Sequence, residues 1–217
     1  RQMCIRDRYY HYDSGLETIS APSLQSINGD LYLNYNYRLQ EVDLSSLVEV
    51  NGQVELYYSD DLDQLDLSSL EDISGSFSLY GGENLETLDL PSLTDVGSSM
   101  TVTDNTGLET FSAPLLESLG GDLDIQENPK LSTVDLSSLE CVNDYTIEGN
   151  DLSWEDQYDL LVQLTCASDG SLIVFSAANA DDFCATGETE LENLYINATG
   201  SDPIDLSCLE VLTGYLE

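Results

Sequence analysis

LETLDLPSLTDVGSSMTVTDNTG (residues 85–107) runs directly into LETFSAPLLESLGGDLDIQENPK (residues 108–130), and the two stretches align position for position. A third copy, LETISAPSLQSINGDLYLNYNYR, occupies residues 16–38. Working outward from these, Leu16, Leu39, Leu62, Leu85, Leu108 and Leu131 are each twenty-three residues from the next. A fixed period of this size marks a solenoid, in which each coil buries its apolar face only against its neighbours. The periodicity also excludes disorder, which an acidic composition alone would suggest.

Two short alternating stretches recur in every coil and are predicted to be strands. The first is Val42-Asp43-Leu44, Leu65-Asp66-Leu67, Leu88-Asp89-Leu90 and Val134-Asp135-Leu136. The second is Leu31-Tyr32-Leu33, Val54-Glu55-Leu56, Phe77-Ser78-Leu79, Met100-Thr101-Val102 and Leu123-Asp124-Ile125. Alternation turns the flanking apolar residues inward and the middle residue to solvent. Turn residues mark the corners: Pro22, Pro91 and Pro114 share a column with Ser45, Ser68 and Ser137, and Gly29, Gly52, Gly75 and Gly121 share another. The expected fold is therefore mainly β, a right-handed parallel β-solenoid of 23-residue leucine-rich coils stacked about 4.8 Å apart, with a short helical C-terminal cap.

The pattern L-x-x-φ-D-L-[SP]-S-L-x-x-φ-x-G-x-φ-x-φ-x-x-N, where φ is an apolar residue, resembles the repeats of receptor L domains. These domains occur in receptor ectodomains and in fungal and bacterial cell-surface proteins. The resemblance covers residues 16–151 and resumes at Leu194-Tyr195-Ile196 and at IDLSCLEVL, Ile204–Leu212. It implies an extracellular or cell-surface solenoid, and it defines a scaffold rather than a site. General leucine-rich repeats are the neighbouring family, and their asparagine ladder is present in part at Asn36, Asn105 and Asn128.

Residues 152–190 break the rhythm. SWEDQYDLLVQLTC predicts an amphipathic helix over about 153–165, with Ser153 as N-cap and Asp156 at the capping-box position. SLIVF, residues 171–175, predicts a further strand. The expected division is one stack with its cap over 9–187, and the start of a second stack over 188–217. Cys166 and Cys184 flank the cap strand and are the first pair to join. Cys141 and Cys208 lie in or next to equivalent corners, and four cysteines allow three connectivities. Disulfides imply an oxidising compartment.

RQMCIRDR, residues 1–8, is out of keeping with the rest. It holds Arg1, Arg6 and Arg8, three of only five basic residues against forty-two acidic ones. Its codons can spell the mosaic-end adapter of transposase-based sequencing libraries, so these eight residues are expected to lie outside the solenoid as an artefact. Setting them aside moves the formal charge from −37 to −39 and leaves Arg38 and Lys130 as the only cations. Nucleic acid is excluded as a partner, because binding it needs basic phosphate contacts. No apolar run is long enough for a membrane-spanning helix.

Catalytic motifs are scarce. His11 is the only histidine, and no phosphate-binding loop, zinc spacing or calcium loop occurs. Paired carboxylates can hydrolyse a glycoside, but in so acidic a chain such pairs carry no information. The column Asp43, Asp66 and Asp89 is expected to be a solvated acidic face, with weak Ca²⁺ binding by its carboxylate oxygens as the alternative. No other cofactor is expected. Asn197-Ala198-Thr199 is an N-glycosylation sequon.

One surface feature is not uniform from coil to coil. Tyr32, Tyr35, Tyr37, Tyr57, Tyr58 and Tyr80 crowd the first three coils, where later coils carry Thr, Asp, Gln or Glu. Alternation places Tyr57 and Tyr80 in one outward column and Tyr35 and Tyr58 in the next. This patch is the candidate ligand-binding site, and an aromatic ladder that stabilises the sheet is the competing reading. The expected function is a non-enzymatic, extracellular or cell-surface recognition or adhesion module for a protein or glycan partner. An acidic structural spacer without a specific ligand comes second, and a carbohydrate-active enzyme third.

Overall fold

The computed structural model describes residues 3–4, 15–139, 142, 144–153, 156–157, 160, 163–164, 172–174, 190–191, 194–196 and 211–212. Its contacts divide the chain into two compact units, residues 1–156 and 157–217. The first is a β-solenoid of about six turns, each close to twenty-three residues. Every strand pairing among the described residues is parallel, as stacking of like coils requires.

Each coil visits three faces in turn. The long face is a sheet made of Leu31–Tyr32, Val54–Tyr57, Phe77–Tyr80, Met100–Thr103, Leu123–Gln126 and Tyr145–Glu148 in that order. A second face consists of the two-residue strands Ser26–Ile27, Glu49–Val50, Asp72–Ile73, Asp95–Val96 and Ser118–Leu119. The third face is broken into two ladders. Thr18–Ser20, Glu41–Asp43 and Gln64–Asp66 form one, and Thr87–Asp89, Thr110–Ser112 and Thr133–Asp135 form the other.

The inward residues of the three faces make one continuous core. Leu39, Leu62, Leu85, Leu108 and Leu131 are buried, as are Phe77 and Phe111, the two largest fully buried side chains. Contact of like residues on successive coils removes them from water, which is the main stabilising term for such a stack. The proline column sits where the turn chemistry requires it. Each coil has a tight turn in which the N–H of Leu24, Leu47, Leu70, Leu93, Leu116 or Leu139 donates to the carbonyl three residues earlier. Pro22, Pro91 and Pro114 hold the second position of these turns, where a fixed φ is already suitable.

The glycine corner is set by close approach. A Cβ on Gly75 would lie 2.8 Å from the carbonyl carbon of Gly52, so the backbones of these two coils meet with no room for a side chain, whereas one coil on the same column holds Ser98.

Residues 1–8 do not all lie apart. Met3–Cys4 pairs in parallel with Leu31–Tyr32 and extends the long sheet by one strand, contrary to the expectation from composition. The physical reason is that the edge strand offers unpaired backbone N–H and C=O groups. Backbone pairing is blind to side-chain identity, so such an edge accepts an extended segment of any origin.

The helix is present where its described residues fall. Asp156, Gln157, Leu160, Gln163 and Leu164 are helical, and Leu160 and Leu164 are buried. The Asp156 N–H donates to Ser153 Oγ at 3.1 Å, so Ser153 is the N-cap, and the Ser153 hydroxyl in turn donates to the Asp156 carboxylate. Within the second unit, Leu172–Val174 pairs with Leu194–Ile196, and Glu190–Leu191 with Val211–Leu212, both in parallel. The boundary at 187/188, the four cysteines Cys141, Cys166, Cys184 and Cys208, His11 and Asn197 lie outside the described residues.

Candidate functional site

The long sheet turns three columns of residues outward. Register places Tyr32, Glu55, Ser78, Thr101, Asp124 and Thr146 in the first column. The second runs Asn34, Tyr57, Tyr80, Thr103, Gln126 and Glu148, with Asn34 brought into line by the Tyr57 N–H donating to its Oδ1 at 2.9 Å. The third begins just past each strand, with Tyr35, Tyr58, Gly81, Asp104, Glu127 and Gly149.

That third column has a backbone signature. All six residues have positive φ: 61° at Tyr35, 53° at Tyr58, 73° at Gly81, 58° at Asp104, 52° at Glu127 and 68° at Gly149. The left-handed conformation is uncommon for a side chain larger than that of Asn or Asp, and a corner must be over-determined to hold tyrosine in it. Two sets of hydrogen bonds do so. The N–H of Tyr35 donates to the Tyr57 carbonyl at 2.7 Å and that of Tyr58 to the Tyr80 carbonyl at 2.9 Å, with equivalent bonds at Gly81, Asp104 and Glu127.

One residue further on, a buried asparagine ladder takes over. Gly82 N–H donates to Asn105 Oδ1 at 3.0 Å, Asn105 N–H to Asn128 Oδ1 at 3.0 Å, and Asn128 N–H to Asn150 Oδ1 at 3.2 Å. Ser59 fills the same position in its coil and donates to the Leu33 carbonyl.

On this frame the tyrosines come together. The rings of Tyr35 and Tyr58 stack at 5.5 Å with planes 23° apart. Tyr80 meets Tyr58 edge to face at 5.1 Å and Tyr57 at 6.1 Å. Gly81 is needed beneath them, because a Cβ there would lie 2.8 Å from Tyr58 Cδ1. Tyr32 is held through its hydroxyl, which donates to Asp30 at 3.1 Å and accepts from the Gln53 amide. Despite these contacts the patch stays open to solvent, with Tyr35 41%, Tyr37 40% and Tyr58 37% exposed.

Two further residues belong to the patch. Tyr37 lies beyond the strand, outside the alternation that singles out its neighbours, yet its ring is 6.4 Å from that of Tyr35. Asp104 replaces tyrosine in the corner column one coil past Gly81. Hydrogen bonds to Tyr58 and to Asp104 hold the Tyr80 phenol proton on well above its usual pKa. Aromatic and acidic parts of the face therefore touch at Tyr80.

The aspartate column on the third face has a different setting. Asp43 and Asp66 are register partners, but the ladder ends there, and Asp89 begins a separate ladder opposite Ser112. Asp43 Oδ1 accepts from both the N–H and the hydroxyl of Ser45, and Asp66 Oδ1 does the same from Ser68. The Ser45 hydroxyl and N–H hold the Asp43 carboxyl below its usual range. Asp89 precedes Leu90-Pro91, where no N–H exists to accept from. Among the described residues no group of three or more His, Cys, Asp or Glu side chains is gathered closely enough to hold a metal ion.

No protein-family model, characterised protein or solved structure matches this chain. The likeness to receptor L domains thus rests on the repeat pattern alone.

Proposed function

We propose that the protein is a non-enzymatic recognition or adhesion module of the cell surface or extracellular space, built on a receptor-L-domain-like scaffold, that binds a protein or glycan partner through the tyrosine face of its long sheet. The observation that supports this is the restriction of the outward-column tyrosines to the first three coils of one otherwise repetitive face, with the patch left about 40% exposed at Tyr35, Tyr37 and Tyr58. A purely solvated face has no use for exposed aromatic surface. Coils four and five, which carry Thr101, Thr103, Asp124 and Gln126 in the same columns, build the same sheet without it. Tyrosine offers a large, rigid contact surface with little entropy to lose, which suits it to binding.

The test is the triple variant Tyr35→Ser, Tyr57→Ser, Tyr58→Ser, compared with the parent chain on a printed glycan array and on intact cells. Binding should be lost while the circular dichroism of the solenoid is kept. Loss of the β signal in the variant would show the tyrosines to be a structural ladder and refute the assignment.

A further inference from the structure

The columns of the long face carry a second regularity. Of their eighteen positions, five are tyrosine, five are acidic and none is basic. The tyrosines fill the first three coils. The acidic residues are Glu55 within that half and Asp104, Asp124, Glu127 and Glu148 beyond it. The two described basic residues, Arg38 and Lys130, both fall three positions past the left-handed corner, and Arg38 is paired with Glu17 at 3.5 Å.

An aromatic face presents negative potential above its rings, and carboxylates beside it deepen that potential. Such a surface repels anionic sugars and phosphates. Neutral partners would have to strip water from the carboxylates with no charge in return. A cation gains from both halves at once. The guanidinium of arginine fits better than the ammonium of lysine, because it is planar, stacks on tyrosine and donates two parallel N–H bonds to a carboxylate.

We infer that the partner of this face is an arginine-rich peptide segment, whose guanidinium groups pack against the exposed part of the stacked Tyr35–Tyr58 pair and pair with Asp104 and Glu127 further along the sheet. This rests on the recognition function proposed above and adds the chemistry of the ligand. Both groups of residues lie in one corner column, with successive coils about 4.8 Å apart, so an extended segment running along the stack meets the aromatic half and then the acidic half.

The experiment is calorimetric titration of the full chain at 150 mM NaCl with three probes: nona-arginine, nona-glutamate and cellohexaose. Tyr35→Leu with Tyr58→Leu removes the rings but keeps apolar cover. Asp104→Asn with Glu127→Gln removes two charges on the face, and Glu86→Gln with Asp89→Asn removes two elsewhere as the control. Nona-arginine should bind the parent, about five- to twentyfold more weakly after the tyrosine change, and more weakly after the face charges are removed. The control pair should change its affinity less than twofold, and nona-glutamate should not bind. If both charge pairs weaken nona-arginine equally and the tyrosine change has no effect, the attraction is diffuse acidity and the inference fails. If cellohexaose binds in a tyrosine-dependent way and nona-arginine does not, the recognition face stands and its cationic partner is overturned. If no probe depends on the tyrosines, both proposals fall.

Discussion

Replacing Asn128 by alanine should destabilise the solenoid far more than the same change at Asn36, although both residues occupy one column and both are buried. The Asn128 side chain makes four hydrogen bonds. Its Oδ1 accepts from the backbone N–H and the side-chain amide of Asn105, and its Nδ2 donates to the Val102 carbonyl at 2.9 Å and to Asn150 Oδ1 at 3.0 Å. Truncation leaves the Asn105 N–H buried with no acceptor, a cost of about 1–3 kcal/mol. The other three bonds contribute roughly 0.5–1 kcal/mol each, so the total is about 2.5–6 kcal/mol, a large part of a typical domain's stability. Asn36 offers much less to lose. Its Nδ2 donates to the Asn34 carbonyl at 3.3 Å, and its Oδ1 has no partner among the described residues, so Asn36→Ala should cost about 1 kcal/mol or less. Urea titration by circular dichroism reads the difference, and Asn128→Ala should also lower Tm by about 10–25 °C. Amide hydrogen exchange locates it, because the Asn105 N–H should lose its protection. Equal losses for the two variants, or a loss under about 1 kcal/mol for Asn128→Ala, would refute the ladder as a source of stability.

The left-handed column predicts opposite signs for opposite changes. Glu127→Gly should stabilise by about 0.5–1 kcal/mol, whereas Gly81→Ala should cost about 1–3 kcal/mol, because it combines positive φ with a clash against the Tyr58 ring. Both are measurable by chemical denaturation. Asp60 and Asp43 should respond to pH in opposite ways. Burial, with Glu83 and Asp61 nearby, raises the Asp60 pKa in the folded state, so Asp60→Asn should stabilise at pH 7 and make no difference below about pH 3. Asp43 has a lowered folded pKa, so Asp43→Ala should cost stability at pH 7, and that cost should disappear as the pH falls through the folded value. With a formal charge of −37, the parent Tm should rise with NaCl. Ca²⁺ should add nothing beyond matched ionic strength, since Asp43 and Asp66 already hold their own corners.

The coil architecture was legible because it depends on short-range pattern. Six leucines at one spacing, two alternating segments and a proline column each report a local requirement, and stacking identical coils satisfies all of them together. The tyrosine patch was legible for the same reason, since residues twenty-three apart must be neighbours once the period is known. The ladder position of Asn150 was not. The last coil is one residue shorter, so counting by twenty-three from Asn128 lands on Asp151, and only the hydrogen bonds identify Asn150 as the next rung.

By itself, then, the sequence determined the period, two of the three strands in each coil, the turns and most of the shared columns, because these follow from side-chain volume, alternation and turn chemistry within a single coil; the two-residue strands of the second face, such as Ser26–Ile27 and Glu49–Val50, are too short to show an alternation. The tertiary structure alone decided the conformation of the corners, the break between Asp66 and Asp89 and the pairing of Met3–Cys4 with the sheet edge. All three depend on where backbone N–H and C=O groups of different coils find partners. Proline apart, the backbone groups are the same in every residue, so the residue pattern does not announce their partners in advance.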